Sequence, residues 1–69
     1  MLYFYEYKFK NGSIVGGHNL QTIEFYDNFI KLSGVDEIPG IYWGTLLDMK
    51  EIEYLKIIPM KDEVYNYDS

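Results

Sequence analysis

TLLDMKEIEYLKIIP (residues 45–59) can be read in two ways, and the choice between them sets the fold of the chain. Thr45 followed three residues later by Asp48 resembles a helix capping box, and Pro59 would stop such a helix. Wound at about 100° per residue, however, Leu46, Leu47, Met49, Ile52, Tyr54, Leu55, Ile57 and Ile58 scatter around the whole circumference. Asp48, Lys50, Glu51, Glu53 and Lys56 fall between them, so no apolar stripe forms. A helix without separated faces buries charge or exposes leucine. The reading adopted is a strand up to Leu47, a tight turn at residues 49–51 and a last strand over residues 52–58. A sheet with one helix near residues 45–58, an α+β fold, is the alternative.

The rest of the chain agrees with strands. Residues 2–10 alternate, with Tyr3, Tyr5, Tyr7 and Phe9 on one side and Leu2, Phe4, Glu6, Lys8 and Lys10 on the other. This predicts a strand covered on both faces near its start. Asn11-Gly12 then predicts a two-residue hairpin loop, pairing Lys10 with Ser13, Phe9 with Ile14, Lys8 with Val15, and Tyr7 with Gly16, whose missing side chain makes room for the ring. Gly16-Gly17-His18-Asn19 is read as the end of the second strand in a bulge or turn. A second hairpin over residues 22–33 turns at Asp27-Asn28 and sets Tyr26 against Phe29, Phe25 against Ile30, Glu24 against Lys31 and Ile23 against Leu32. Ile23, Phe25, Ile30 and Leu32 then share one face, and a slip by one residue would lose every pair. Residues 33–40 read as a loop turning at Pro39-Gly40, and residues 41–47 as a strand centred on Tyr42 and Trp43. The expected fold is all-β: a small antiparallel meander of five or six strands forming a compact barrel or bent sheet. It is expected to be a single domain over residues 1–69, with residues 60–69 a frayed acidic tail or a short extra strand.

A chain of 69 residues is near the size at which one core just suffices. It has no cysteine, so neither disulfides nor thiolate metal sites contribute, and one histidine, His18, is a poor basis for zinc. The eight tyrosines and four phenylalanines must supply much of the buried surface. The start, MLYFYEYKFK, has neither a basic leader nor a long apolar run, and no segment approaches the roughly 20 apolar residues of a membrane span. The expectation is a soluble, cytoplasmic protein. Absent alanine with abundant Ile, Tyr, Lys and Asn fits an AT-rich coding sequence, as in a phage, a mobile element or an AT-rich chromosome.

Charge gives the functional direction. The net charge is −5, and all of it lies in residues 35–69, where Lys50, Lys56 and Lys61 face eight carboxylates. Arginine, the side chain best shaped to grip phosphate or guanine in two places, is absent. Direct nucleic-acid binding is therefore disfavoured, and a basic protein surface is the expected partner. The candidate contact residues are Asp36 and Glu37 in the loop, and Asp62, Glu63, Tyr65, Tyr67 and Asp68 in the tail, where charge interleaves with rings suited to interfaces.

Catalytic constellations are weak. His18 follows two glycines in an expected loop, as a solvated turn residue, and Ser13, Ser33 and Ser69 sit in a turn, at a strand end and at the terminus. The pairs Asp36-Glu37, Glu51 with Glu53, and Asp62-Glu63 lack the pocket that acid–base work needs, and Asp36-Glu37 lacks the spacing of a calcium loop. Gly12, Gly16 and Gly17 form no phosphate cradle. No catalytic residue, cofactor or metal is expected. The reading is a non-enzymatic acidic protein-binding module, of the kind a phage or mobile element uses as an inhibitor, mimicking nucleic acid on the basic surface of a nucleic-acid-handling enzyme. Alternatives are a structural or assembly subunit that forms homo-oligomers through edge strands, and single-stranded nucleic-acid binding through Tyr3, Tyr5 and Tyr7.

Overall fold

A computed structural model of the chain describes residues 1–61. These residues form one antiparallel sheet of five strands: β1 (Tyr3–Phe9), β2 (Ile14–Phe25), β3 (Phe29–Val35), β4 (Tyr42–Asp48) and β5 (Ile52–Pro59), in the order β4-β3-β2-β1-β5. Residues 45–59 contain no α-helix; a single 3-10 turn, Met49–Glu51, links β4 to β5. Asp48 caps it, its Oδ1 accepting from Lys50 N at 2.9 Å. The fold is all-β, as the scattered apolar positions of that segment require, and the sheet is bent without closing into a barrel.

The bend comes from β2, where two expected strands are one strand of 12 residues. Its first part pairs with β1 and its second with β3, and Leu20 is paired with both, opposite Tyr3 and Gly34. The ladder shifts register on either side of Leu20, between Tyr3 and Tyr5 against β1 and between Leu20 and Thr22 against β3. Both shifts insert an extra residue into β2, and Asn19 takes a φ of 64° at the first. Bulges of this kind increase local twist and bend the strand that carries them. The stretch from Gly16 to Asn19 therefore bends β2 and does not end it.

The second hairpin has the expected register, Phe25 to Ile30, Glu24 to Lys31 and Ile23 to Leu32, with Tyr26 N donating to Phe29 O at 2.9 Å. The first is displaced by one: Lys8 pairs with Ile14, Tyr7 with Val15, Glu6 with Gly16 and Tyr5 with Gly17. Its loop holds three residues, Phe9 O accepting from Gly12 N at 2.9 Å and Phe9 N donating to Ser13 O at 2.8 Å. Only Gly12, at φ 98°, takes the left-handed conformation, so Asn11 serves instead through its side chain, accepting from Ser13 N. The shift moves Ile14 from the aromatic face to the outer one, where it is exposed. β3 also runs further than expected, through Ser33, Gly34 and Val35, because Gly44, Trp43 and Tyr42 of β4 pair with them.

Side chains on the concave face make the core. Leu20 and Leu32 are fully buried, with Tyr7, Ile30 and Leu47 beside them, and Tyr3, Tyr5, Phe9, Ile23, Trp43, Leu55 and Ile57 pack around this centre. Phe25, expected in that core, is 67% exposed. At the last position of β2 it has Ile30 on one side and no strand on the other, because β1 leaves β2 at Leu20. Phe4 is also exposed, so the start of β1 is covered on one face only.

The two edge strands are three residues apart at Met49–Glu51, which holds that end of the roll together. Met49 N donates to Asn28 O and Lys10 N to Glu51 O, tying this turn to both hairpin loops. At the other end lie the start of β1, the end of β3, the start of β4 and the end of β5, and there the roll is open. None of the helical segments described is long and apolar enough to cross a membrane. From Asp62 on, the expected tail or extra strand lies outside the described residues.

Candidate functional site

At the open end, Tyr5 of β1 and Trp43 of β4 approach to 5.5 Å between ring centroids, with planes inclined at 39°. Two glycines permit this. A Cβ on Gly17 would lie 2.5–2.9 Å from the Tyr5 ring, so that ring lies over bare backbone. A Cβ on Gly34 would lie 2.8–2.9 Å from the Trp43 ring and would collide with Asn19 O. The Trp43 indole N–H donates to Val35 O at 3.1 Å, which fixes the ring's orientation. Along β1 the rings continue inward, Tyr5 stacked on Tyr7 and Tyr7 edge-on to Phe9. Tyr3, Tyr5 and Tyr7 thus face the core, and burial pushes the Tyr7 hydroxyl above its ordinary pKa, with neighbouring Tyr5 adding to the effect.

The loop after β3 forms the rim. Gly40, at φ 86°, and Pro39 make the turn in which Ile41 N donates to Ile38 O, and Asp36 N donates to Ile41 O at 2.8 Å. The Asp36 carboxylate folds back to accept from Glu37 N at 2.6 Å, which aims Glu37 outward. His18, displaced by the bulge at Asn19, meets it, with Nε2 and Glu37 Oε2 at 2.9 Å. His18 is therefore a half-exposed strand residue and not part of a loop. Together Tyr5, Trp43, His18, Asn19, Asp36 and Glu37 line an open cleft of about 340 Å³.

Two of the seven expected contact residues, Asp36 and Glu37, stand on this cleft, Asp36 also as the cap of its own loop. Asp62, Glu63, Tyr65, Tyr67 and Asp68 lie outside the described residues, although the chain leaves β5 at the same end, where Met60 N donates to Leu2 O. The other carboxylates of the second half do not join them. Asp48 and Glu51 sit at the closed end, and Glu53 lies 3.9 Å from Lys8 on the outer face. Trp43 and His18 had no expected role as contact residues, and Tyr5 was expected to make contacts only in the alternative of single-stranded nucleic-acid binding. Gly17 and Gly34, read as turn and loop formers, were the available signal for them, because a strand glycine often marks a close approach.

Elsewhere the polar groups serve the surface. Tyr54 donates to Glu6 Oε2 at 2.5 Å, Lys56 approaches the same oxygen at 3.9 Å, and Tyr26 donates to Glu24 at 2.6 Å. These hydrogen bonds hold both tyrosine hydroxyls above their ordinary pKa. A larger depression of about 450 Å³ on the outer face is lined by Tyr26, Phe29, Lys31, Thr45 and Leu46. Its rings are stacked on each other, centroids 4.7 Å apart, and Lys31 makes it unsuited to a cation. No group of three His, Cys, Asp or Glu among the described residues is placed to hold a metal ion. Comparison with protein-family models, with curated proteins and with solved structures gives no match.

Proposed function

We propose that this chain is a non-enzymatic, cytoplasmic interaction module that binds a basic surface of a partner protein through the open end of its sheet. One observation carries the reading: Tyr5 and Trp43 line the same cleft as the carboxylates Asp36 and Glu37. Aromatic faces attract cations through their quadrupole, and a carboxylate beside them adds a directed ion pair. Tyrosine and tryptophan are also the residues that most often anchor interfaces. The net charge of −5 favours encounter with basic surfaces and makes the association weaken with salt. Asp62, Glu63 and Asp68 follow Lys61 in the sequence and contribute three of the carboxylates behind the net charge of the chain. A surface of rings and carboxylates offers a nucleic-acid-binding groove stand-ins for bases and phosphates, which supports inhibition of a nucleic-acid-handling enzyme as the biological role.

The test compares charge reversal at the two ends. Asp36→Lys with Glu37→Lys changes the open end, and Asp27→Lys with Glu51→Lys makes the same change in net charge at the closed end. Binding to an arginine-rich peptide, followed by fluorescence anisotropy, is expected to weaken at least about tenfold in the first double variant. The second is expected to stay within about threefold of the parent chain, since its charges are remote and screened. Equal losses in both would overturn the reading.

Self-association is a second reading with its own observation. Among the described residues β4 and β5 each pair on one side only, and Tyr42, Leu46 and Ile58 are exposed on them. Unprotected edges of this kind pair readily with other strands. A concentration-independent monomer mass in solution would exclude it.

A further inference from the structure

The chemistry of the cleft narrows what the partner must present. The cleft is lined by the Tyr5 ring, which lies over Gly17, and by the Trp43 ring, and its rim is the Glu37 carboxylate beside His18. Because the indole N–H is already taken by Val35 O, Trp43 offers the cleft only its ring. Trp is the aromatic side chain that attracts a cation best. Among the described residues no lysine lines this space; Lys8 and Lys56 lie near Glu53 and Glu6 on the outer face of the sheet. The two rings touch, centroids 5.5 Å apart, so a cation is met by a ring face beside the Glu37 carboxylate and not between the rings. A flat group stacks on such a face better than a sphere does. A guanidinium is flat, weakly hydrated and always charged, and it meets a carboxylate through two parallel N–H donors. An ammonium is strongly hydrated and acts as a point charge.

We infer that the Tyr5–Trp43 cleft is an arginine site: an arginine side chain of the partner protein enters it, stacks on Trp43 and pairs with Glu37. This rests on the reading of the chain as a module for basic partners and specifies the group that is held. Glu37 exchanges its contact with His18 for the guanidinium, so the rim is already oriented toward the entering group. The site also accounts for two glycines in strand positions, since any side chain at Gly17 or Gly34 would displace one of its two rings.

Trp43 is the only tryptophan, so its emission reports on the cleft directly. The full chain is titrated with acetyl-Gly-Arg-Gly-amide, with the same peptide carrying citrulline, which is nearly isosteric and neutral, and with the lysine peptide. The arginine peptide is expected to produce a saturable change in emission, with citrulline at least about tenfold weaker and lysine in between. Glu37→Gln, at an exposed position that leaves the core untouched, is expected to weaken the arginine peptide several-fold and leave the citrulline response unchanged. Tyr5→Leu, which removes one aromatic face and leaves Trp43 and Glu37 in place, is expected to weaken the arginine peptide while keeping its advantage over citrulline. Equal responses to arginine and citrulline, equal responses to arginine and lysine, or indifference to Glu37→Gln would each overturn the assignment. If arginine-rich peptides still bind in a manner dependent on Asp36 and Glu37 while Trp43 emission stays silent, this inference fails and the broader proposal stands. If no basic peptide binds, both fail.

Discussion

Tyr5 and Trp43 touch although two strands separate them in the sheet: β2 and β3 lie between β1 and β4, yet the ring centroids are 5.5 Å apart. Flat-sheet neighbours two strands further on would stand roughly 14 Å away, at about 4.8 Å per strand. The difference measures how far the sheet has rolled, and it locates the cause in the bulged strand β2 around Leu20.

Gly34 is where that roll is most easily broken. A Cβ there meets Asn19 O and the Trp43 ring together, and the backbone oxygen has nowhere to go. Gly34→Ala is expected to cost about 3 kcal/mol, the upper part of the range for overpacking, and to lower Tm by more than about 10 °C. At Gly44 the nearest atom to an added Cβ is Leu32 O at 3.8 Å, so Gly44→Ala is expected to stay within about 1 kcal/mol of the parent. Thermal unfolding followed by circular dichroism checks both, and similar losses for the two would contradict the packing described.

Burial separates leucines that the sequence pattern treats alike. Leu32 is fully buried while Leu46, paired with Lys31 on the outer face, is 65% exposed. Leu32→Ala is expected to destabilise by about 2–5 kcal/mol. Leu46→Ala is expected to change stability by no more than about 0.5 kcal/mol. Urea unfolding distinguishes the two outcomes.

Alkaline pH should unfold the chain earlier than its charge alone implies. Tyr7 is raised by burial and then by Tyr5, while Tyr26 and Tyr54 are raised by hydrogen bonds to Glu24 and Glu6. Each folded-state pKa lies above the unfolded value near 10, so the folded state holds more protons in that window. The stability these tyrosines contribute is complete below about pH 10 and is lost as pH rises through the folded values. Tyrosinate absorbance should show late titration for these groups. Glu24→Gln and Glu6→Gln should bring Tyr26 and Tyr54 back toward ordinary behaviour; unchanged titration curves in those variants would contradict the assignment.

What could be read in the sequence was local, and what could not was cooperative. The second hairpin was legible because Glu24 with Lys31 and Ile23 with Leu32 satisfy charge and burial in one register only. The Met49–Glu51 turn was legible because no helix there could segregate its faces. The first hairpin was read one residue out because Asn11-Gly12 fits a two-residue loop as well as a three-residue one in which only Gly12 is left-handed. The bulges of β2 break the alternation of period two that identifies strands, so one bent strand read as two. The cleft was half legible: Asp36 and Glu37 were singled out for charge, whereas Tyr5, Trp43 and His18 meet them only because the sheet rolls. Only Gly17 and Gly34, glycines at strand positions, point locally to a close approach there, and neither says which ring makes it.

The most direct measurement of where the partner is met is amide and indole chemical-shift mapping of the full-length, isotope-labelled chain titrated with an arginine-rich peptide. The account predicts that the largest shifts fall on the Trp43 indole N–H and the amides of Gly17, His18, Asn19 and Glu37, with the hairpin loops at Gly12 and Asn28 unmoved. Shifts concentrated at Gly12, Asn28 and Glu51, or spread evenly over the sheet, would contradict it.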